Sequence, residues 1–231
     1  MKLELYKKAM KEVQTYRDFV ACFEGGCTRC SLSEHEGNYP VLYRGNPDAD
    51  IMLVGEAVGK VEEEQNSCFV GPAGQLLDRI FASKGVEMVT NSHLLITNCV
   101  YCRPVAPANS GKQNYAPKTG QIARCWPFGR RAIELVDPAI IICCGLPAAE
   151  TVLGLTKKIP MKDLEGQWLR QSNGRWIFIM MHPAAVLHQS SDPERQLQTK
   201  LKIWGYMQLF AAAKDAKIAE YRSVHGKKQA T

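Results

Sequence analysis

The sequence predicts an α/β fold of three layers, in which helices cover both faces of a central, mainly parallel four-stranded sheet. Four short apolar runs are typical of buried strands, and helical patterns separate them along the chain. The runs are Ile51–Val54, Leu94–Val100, Ala139–Cys144 and Trp176–Met181. With 231 residues, 45% of them hydrophobic, the chain can build one sizeable core. We expect a single domain over residues 1–231, with its core at about 25–215 and an N-terminal helix and a basic C-terminal tail as extensions.

The first half of the chain predicts a helix, a strand, a polar turn and a second helix. Residues Leu3 to Phe23 carry apolar side chains at helical spacing, and Gly25-Gly26 ends this helix. The strand Ile51–Val54 runs into the glycine-rich turn Gly55–Gly59, then an acidic run. FVGPAG follows and leads into helical spacing from Leu76 to Phe81. In an open α/β sheet, ligands bind at such carboxyl ends of strands. We therefore expect the active centre here.

The second half predicts three further helices and a long surface loop. Loops of this length in compact domains are usually functional or disordered. The predicted segments are the loop Arg103–Gly120, the helix Gln121–Val136, a short helix from Gly145 and Pro147, a loop plus an edge segment at Lys157–Trp168, the final helix Glu194–Ala219 and a frayed basic tail at His225–Thr231.

The charge and the N-terminus bear on partners and compartment. The formal net charge of +6 favours an anionic partner without identifying one. The first residues, MKLELYKKAMKEV, are charged and amphipathic and lack an apolar signal-peptide core. No apolar run approaches the roughly 20 residues that a membrane span needs. We expect a cytoplasmic protein, nucleoid-associated in a prokaryote or an infected cell. Cysteine clusters in such proteins bind metals or cofactors more often than they form disulfides.

The nine cysteines leave two metal-ligand sets open. Cys27-x-x-Cys30 has the spacing of a metal-ligand pair, although a lone CxxC also suits a redox pair. Cys99-x-x-Cys102 would complete a zinc-type set. Residues 99 and 102 point to opposite faces if the strand continues through them. Cys102 with Cys125 is therefore the alternative partner pair, and the residues alone do not choose between the two sets.

Several motifs, taken together, resemble the family 4 uracil-DNA glycosylases, the iron–sulfur members of the uracil-DNA glycosylase superfamily. The resemblance spans about Cys27 to Leu187 in family order. Its motifs are the first CxxC, GEAVG at Gly55, CFVGPAG at Cys68, TNCVYCRP at Thr97 and HPAAVL at His182. The resemblance implies the three-layer uracil-DNA glycosylase-like fold.

The resemblance also assigns the cysteines. It implies a 4Fe-4S cluster on Cys27, Cys30, Cys102 and Cys125, with zinc as the alternative metal. Such a cluster would have a structural role, because it would tie the N-terminal segment to the loop after the second strand. The remaining strand cysteines, Cys99, Cys143 and Cys144, are then buried core residues, while Cys22 and Cys68 have no assigned role.

The implied activity is DNA repair by a monofunctional glycosylase, which flips uracil out of DNA and hydrolyses its N-glycosidic bond, leaving an abasic site. Phe69 would stack on the base, Asn98 would bind its edge, and His182 would donate to uracil O2 as negative charge develops there. Each residue also has a plain structural interpretation: a core Phe, a satisfied buried Asn, and a His-Pro that ends a strand. No lysine stands in these motifs to form a Schiff base, so strand cleavage is not expected.

Two carboxylates are further catalytic candidates. The resemblance implies roles for Glu56 beside the pocket and Glu62 in the acidic run, although Glu62 alone would suggest a solvated turn. Ala57 is the pocket position at which some other branches of the superfamily carry an acidic or amide residue that positions water. The general base therefore stays open, and stabilisation of the uracil anion is expected to lower much of the barrier.

Four departures from the family pattern limit what the resemblance implies. Val58 and Cys68 replace prolines, the loop between Cys102 and Cys125 is longer than usual, and His188 replaces an arginine. Val186 and Leu187 are candidates for a wedge inserted where the base leaves, and His188 is expected beside them. Candidates for phosphate contacts, which are expected to be independent of base sequence and sensitive to salt, are Arg103, Lys112, Lys118, Arg124, Arg130 and Arg131.

The expected partner is uracil-containing DNA, single- or double-stranded, bound by a monomer that does not associate with membranes. A replication or repair protein is a further candidate partner. The alternative function is a catalytically weak or inactive glycosylase-fold iron–sulfur protein that binds DNA or a replication partner. Val58 and the long loop favour this alternative.

Overall fold

A six-stranded sheet lies at the centre of the chain in the order β1-β3-β2-β4-β6-β5. The computed structural model describes residues 6–35, 39–105, 114–157, 159–189 and 191–226. The four inner strands pair in parallel and the two edge strands pair antiparallel. The strands are β1 (Arg44–Gly45), β2 (Ile51–Ala57), β3 (Leu94–Val100), β4 (Ile140–Cys144), β5 (Trp168–Arg170) and β6 (Trp176–Met180). The predicted α/β class and the four parallel strands are confirmed.

Helices cover both faces of this sheet. They are α1 (Tyr16–Ala21), α2 (Lys60–Gln65), α3 (Pro72–Phe81), α4 (Thr90–His93), α5 (Thr119–Val136), α6 (Leu146–Leu153), α7 (Ala184–Leu187) and α8 (Pro193–His225). Alternate residues of each inner strand point to opposite faces. In β2, Met52 and Val54 pack with α1, α5 and α6, whereas Ile51 and Leu53 pack with α3 and α8. Burial on both faces explains why the inner strands are continuous apolar runs.

The N-terminal segment differs from the predicted single helix. It forms a short π-helical turn, Lys8–Glu12, and then the separate helix α1. The chain is extended at Val13, and Thr15 begins α1 by accepting a hydrogen bond from the Asp18 N–H at 3.1 Å. Ala9 and Phe19 are fully buried in the core. Residues 6–24 thus contribute side chains to the core.

Other boundaries differ where burial gives no clear pattern. The acidic run, predicted to be a polar loop, forms α2, which has no buried residue. The final helix, α8, runs to His225 rather than ending at residue 219. The predicted edge segment is strand β5, which begins at Trp168, where the predicted segment ended. Part of the predicted long loop, 106–113, and the tail after residue 226 lie outside the described residues.

Charged side chains fasten the end of α8 to the amino ends of the strands. Arg222 contacts Asp50 Oδ1 through Nη2 and Asp137 Oδ2 through Nη1, both at 2.7 Å. Arg175 reaches Asp137 Oδ1 at 2.9 Å, and the Tyr221 hydroxyl donates to the same oxygen at 2.7 Å. This network occupies one edge of the sheet and leaves the carboxyl edge to the candidate site. Among the helices that the structure describes, none has the length and apolar character to cross a bilayer.

Candidate active site

A cavity of about 450 Å³ opens at the carboxyl ends of β2 and β3 and beside the segment that follows β6. This volume is typical of small-molecule sites. The structure brings eight of the predicted site residues to its walls: Glu56, Ala57, Glu62, Phe69, Asn98, His182, Leu187 and His188. Residues that are more than 100 positions apart in sequence therefore meet at the edge of the sheet where ligands are expected.

Phe69 adopts an unusual backbone conformation at this cavity. Its φ is +54°, a left-handed value that is uncommon for a bulky residue and costs energy. Arg44 stabilises the turn by donating from Nη1 to the Phe69 carbonyl at 2.8 Å, while it also pairs with Asp78. The Phe69 ring lies 5.5 Å from the His182 ring, centroid to centroid. The strained turn thus presents an aromatic ring beside an imidazole.

Asn98 is a buried polar residue with half of its carboxamide unsatisfied. Its side chain lies in the all-buried strand β3, and its Nδ2 donates a weak bond to Cys68 Sγ at 3.6 Å. Its Oδ1 has no hydrogen-bond partner among the described residues. A buried oxygen without a partner is costly, which favours a ligand that donates to it.

Gly55 provides the space in which Asn98 and Phe69 meet. It pairs in register with Asn98 across β2 and β3. A Cβ on residue 55 would lie 2.4 Å from Asn98 Oδ1 and 2.5 Å from Phe69 Cζ. Only glycine fits between them, so the cavity requires a glycine at position 55 of β2.

His182 is held in one protonation state by its surroundings. Its Nδ1 accepts a hydrogen bond from the Ala184 backbone N–H at 3.1 Å. Burial lowers the pKa of the imidazole to about 4, and the nearby His188 lowers it too. The ring is therefore neutral at physiological pH, with its single proton on Nε2. A neutral imidazole of this kind acts as a hydrogen-bond donor rather than as a charged acid.

The two carboxylates have different surroundings. Glu62 Oε1 accepts a hydrogen bond from the Gly71 backbone N–H at 2.8 Å, so it joins α2 to the start of α3. The Glu56 carboxylate has no hydrogen-bond or ion-pair partner among the described residues, and burial raises the pKa of this carboxyl. Ala57 adds only a methyl group to the wall. Of these residues, Glu56 alone offers the cavity a carboxylate that no bond already holds.

The structure separates the predicted DNA-contact residues into two groups. Leu187 and His188 line the cavity, whereas Val186 is fully buried in the core beneath it. The expectation that Val186 forms part of a wedge is therefore corrected, because its side chain does not reach the surface. Arg103 Nε pairs with Glu63 Oε2 at 2.6 Å.

The other predicted phosphate contacts also differ in their surroundings. Arg131 Nη2 donates to the Val13 carbonyl at 2.6 Å, so this guanidinium is used within the protein. Lys118 and Arg130 are exposed, and Arg124 is exposed while its Nη1 donates to the Arg29 carbonyl at 3.3 Å. Lys112 lies outside the described residues.

Cys27, Cys30, Cys102 and Cys125 line one small apolar cavity, walled also by Leu32 and Phe128. Cys99 instead packs with Cys143 in the core on the α5 face. Burial, followed by the closeness of the other three thiols, raises the pKa of Cys102. Within the described residues, no three His, Cys, Asp or Glu side chains are arranged to hold a metal ion.

The chemistry of these four thiols fits an iron–sulfur cluster. Four thiolates around one cavity would repel, and a bound cationic group would reverse that repulsion. Iron–sulfur clusters are held by Cys thiolates, and four thiols around one shared cavity, rather than around a single ion, suit such a cluster.

The cavity lined by Phe69, Asn98 and His182 is called the base cavity after its expected ligand. Three residues that support or line it were not predicted from the sequence. Arg44 supports Phe69 from the edge strand β1, while Asn114 and Tyr115 add a wall from the loop that leads to α5. None of them belongs to an apolar pattern. The length of the loop was the available signal, and it does not indicate which loop residues return to the site.

The sequence is similar to a family of known proteins. A family model described as the uracil DNA glycosylase superfamily matches residues 42–208. Similar proteins include the type-4 uracil-DNA glycosylase of Archaeoglobus fulgidus, 32% identical over 174 residues, which cover 71% of this chain and 79% of that protein. The type-4 uracil-DNA glycosylase of Saccharolobus solfataricus is 32% identical over 179 residues, covering 74% and 77% of the two chains. The type-4 enzyme of Thermotoga maritima is 29% identical, covering 74% and 83%.

The matched range contains both the base cavity and two of the four clustered cysteines. It begins before the edge strand β1 and ends within α8, so it includes every strand of the sheet. Because this model spans most of the chain and relatives at 32% identity cover more than two thirds of it, the protein belongs to the uracil DNA glycosylase superfamily.

Proposed function

We propose that this chain is a monofunctional uracil-DNA glycosylase that flips uracil out of DNA and hydrolyses the bond between the base and the sugar. The observation that carries the proposal is the meeting of an aromatic ring, a half-satisfied carboxamide and a neutral imidazole in one cavity, at Phe69, Asn98 and His182. The names of the type-4 relatives support the same activity.

The base would be recognised by its face and by its edge. The Phe69 ring offers a stacking surface for a flipped base. Uracil presents an N3–H donor between two carbonyl acceptors, and Asn98 Oδ1 needs a donor. A bond from N3–H to this oxygen would satisfy a buried group that otherwise stays unpaired, which makes the contact selective.

Bond cleavage would depend on stabilising the leaving base. As the bond between C1′ and N1 breaks, its electron pair moves onto uracil and negative charge develops at O2. The Nε2–H of His182 would donate to that oxygen, and the low polarity of the site strengthens the bond. Water then adds its hydroxyl to C1′ of the oxocarbenium-like sugar. Its remaining proton goes to the departed base, so the products are free uracil and an abasic site.

Glu56 is the candidate for the water side of the reaction. Its carboxylate is partly buried and unpaired among the described residues, as a group facing a cationic sugar requires. Electrostatic attraction to the oxocarbenium-like sugar and orientation of the water both fit this position. Glu62 instead supports the turn around Phe69 through its bond to Gly71. Ala57 leaves room in the wall and adds no polar group.

The cysteine cavity would hold a 4Fe-4S cluster on Cys27, Cys30, Cys102 and Cys125. Bound there, the cluster would supply a structural crosslink between the segment after α1, the residues just after β3 and helix α5. The chain would contact DNA at Leu187 and His188, on the cavity wall, and through exposed cations such as Lys118 and Arg130.

The alternative of an inactive DNA-binding protein rests on Val58 and on the long loop. Val58 is 2% exposed and packs in the same core cluster as Phe69. The Val58 side chain therefore fills the space at the position where the family carries proline. This argues against a loosely packed pocket wall. We favour the enzyme for this reason.

The test is a DNA oligonucleotide that contains one uracil, incubated with the purified protein and then treated with alkali. Cleavage at the uracil position, and none in the matched thymine oligonucleotide, is the expected result. Release of free uracil, measured by chromatography, distinguishes excision from strand scission. Protein with its cluster intact that binds this DNA but releases no uracil would instead support the binding-only alternative.

A further inference from the structure

Helix α2 forms part of the base cavity although little within the helix itself stabilises it. Lys60, Val61 and Glu62 line the cavity, yet none of the six residues of α2 is buried. Isolated helices shorter than about 12 residues are marginal in water. Without a buried face, this helix must be held by polar contacts from elsewhere in the protein.

The N-terminus of α2 is capped by a residue that lies 54 positions further along the chain. The N-cap residue is Gly59, which has no side chain to accept a hydrogen bond. Asn114 Oδ1 accepts from the Lys60 backbone N–H at 3.0 Å and takes the role that a local Ser or Asp usually has. A Cβ on residue 59 would lie 2.5 Å from Glu62 Oε2, so a local cap residue would require the Glu62 carboxylate to move.

Two further contacts hold α2 through consecutive side chains. Glu62 Oε1 bonds to the Gly71 N–H at 2.8 Å, towards the turn that carries Phe69. Glu63 Oε2 pairs with Arg103 Nε at 2.6 Å, and both side chains are partly sheltered from solvent, at 16% and 23% exposure. Such a sheltered pair resists solvent screening better than an exposed one.

Two of these three contacts come from the same loop. Arg103 directly follows Cys102, and Asn114 lies between Cys102 and Cys125. The chain between Cys102 and Cys125 thus starts and ends at the cysteine cavity, and two of its residues contact α2. Asn114, Tyr115 and Ala116 also line the base cavity.

We propose that Asn114 is a positioning residue for the base pocket. It caps α2 and so holds the wall formed by residues 55–71 in place against the flipped base. Through Asn114 and Arg103, the loop between the two cysteines couples the cysteine cavity to the pocket. The proposed effect on catalysis rests on the proposed uracil excision, whereas the capping contact does not.

The experiment compares Asn114→Ala with Asn114→Asp in the complete, cluster-containing protein. Hydrogen exchange of peptides that cover residues 59–66 is measured together with uracil excision. Asn114→Ala should speed amide exchange there by about 3- to 10-fold and lower kcat/KM by a similar factor, as expected for one lost hydrogen bond. Asn114→Asp keeps an acceptor for the Lys60 N–H and should restore slow exchange. Excision by this variant is measured at raised salt, which screens its added charge from DNA.

Asn173→Ala is the matched control. Asn173 Oδ1 also accepts one backbone N–H, from Arg175 at 3.1 Å, but at the amino end of β6. This variant should leave exchange at residues 59–66 unchanged. Equal exchange in Asn114→Ala and the unmodified protein, or fast exchange in both Asn114 variants, would overturn the proposal. So would faster exchange at 59–66 in the control. If no protein excises uracil but the exchange pattern holds, the proposed function fails and the capping role stands.

Discussion

The Nδ1 atom of His182 accepts a hydrogen bond from the backbone N–H of Ala184 at 3.1 Å, one turn beyond the end of β6. This contact fixes which ring nitrogen carries the proton. An imidazolium would have to place a second proton on Nδ1, against the Ala184 N–H. Geometry and burial therefore favour the same neutral tautomer, and they lead to a prediction about pH.

His182 should act without titrating in the neutral range. Burial lowers its pKa to about 4, so its contribution to kcat should stay flat from about pH 5 to pH 8 and fall only in more acidic solution, as the ring gains a proton and loses its acceptor. His182→Ala should lower kcat about 100- to 1000-fold and leave DNA affinity nearly unchanged. Single-turnover kinetics across pH and a binding titration measure both. The control is His93→Ala, at the amino end of β3; a His182-dependent inflection near pH 6.5 would contradict the assignment.

Asn98 should lower the free energy of unfolding of the protein while it serves uracil excision. Its Oδ1 is buried without a partner among the described residues, so Asn98→Leu, of similar shape, should leave the free energy of unfolding unchanged or raise it by about 1 kcal/mol. Uracil excision should be lost. Thr97→Val is the comparison, because Thr97 Oγ1 donates to the Leu42 carbonyl at 2.6 Å and its loss should destabilise by about 1 kcal/mol. Urea unfolding measures both; a large destabilisation by Asn98→Leu is the result that disagrees.

Gly55→Ala should damage the pocket through a single methyl group. The new Cβ would lie 2.4 Å from Asn98 Oδ1 and 2.5 Å from Phe69 Cζ, so one of the two groups must move. We expect a loss of about 1–3 kcal/mol in stability and a large fall in kcat/KM. At Gly205 in α8 an added Cβ meets nothing within 4 Å, so Gly205→Ala should instead stabilise by up to about 1 kcal/mol. Thermal unfolding and excision assays compare the two; normal activity in Gly55→Ala would show that the pocket tolerates the methyl group.

The inner sheet was predictable because its strands are buried on both faces. Leu94–Val100 is buried at every position, and such a run leaves a mostly apolar signal in sequence, interrupted here by Thr97 and Asn98. The edge strands have only two and three residues, too few for a pattern. Helix α2 was missed for a related reason, since a helix with no buried residue has no apolar spacing to detect.

The candidate site was predictable where a motif carries it and not elsewhere. Phe69, Asn98 and His182 belong to recognisable motifs, and the structure brings them to one cavity. Asn114 reaches the site by a tertiary contact that no local pattern encodes. Val186 and Leu187 are neighbours in a one-turn helix, and only packing decides that the first is buried and the second lines the cavity.

The cofactor should depend on Cys125 and not on Cys99. Cys125→Ser changes a thiol that lines the shared cavity, so the broad absorbance near ~400 nm expected of an iron–sulfur protein should fall sharply. Cys99→Ser changes a core thiol that does not line this cavity and should retain the absorbance. Metal analysis of each protein decides between iron and zinc. A colourless zinc protein, or one bleached by Cys99→Ser, would overturn this assignment of ligands.

Asp137 should make the fold sensitive to acid. Burial alone would raise the pKa of its carboxyl, but hydrogen bonds from Tyr221 and Arg222 and the charges of Arg222 and Arg175 hold the pKa below its usual value of 3.8. Because the folded-state pKa is depressed, the stabilisation is complete above the ordinary pKa and is lost as pH falls through the lower, folded value.

Asp137→Asn isolates this charge from the backbone. Residue 137 has a left-handed φ of +45° at the end of α5, a conformation that Asn also tolerates. The substitution should cost about 1–3 kcal/mol at neutral pH, since Arg175 and Arg222 lose a charged acceptor that is partly exposed. It should also flatten the fall in stability below about pH 4, because Asn cannot bind the proton. Urea unfolding from pH 3 to pH 7 measures both effects. If the two proteins lose stability equally in acid, the acid sensitivity arises from other carboxylates. Protonation of Asp137 would then contribute nothing to it.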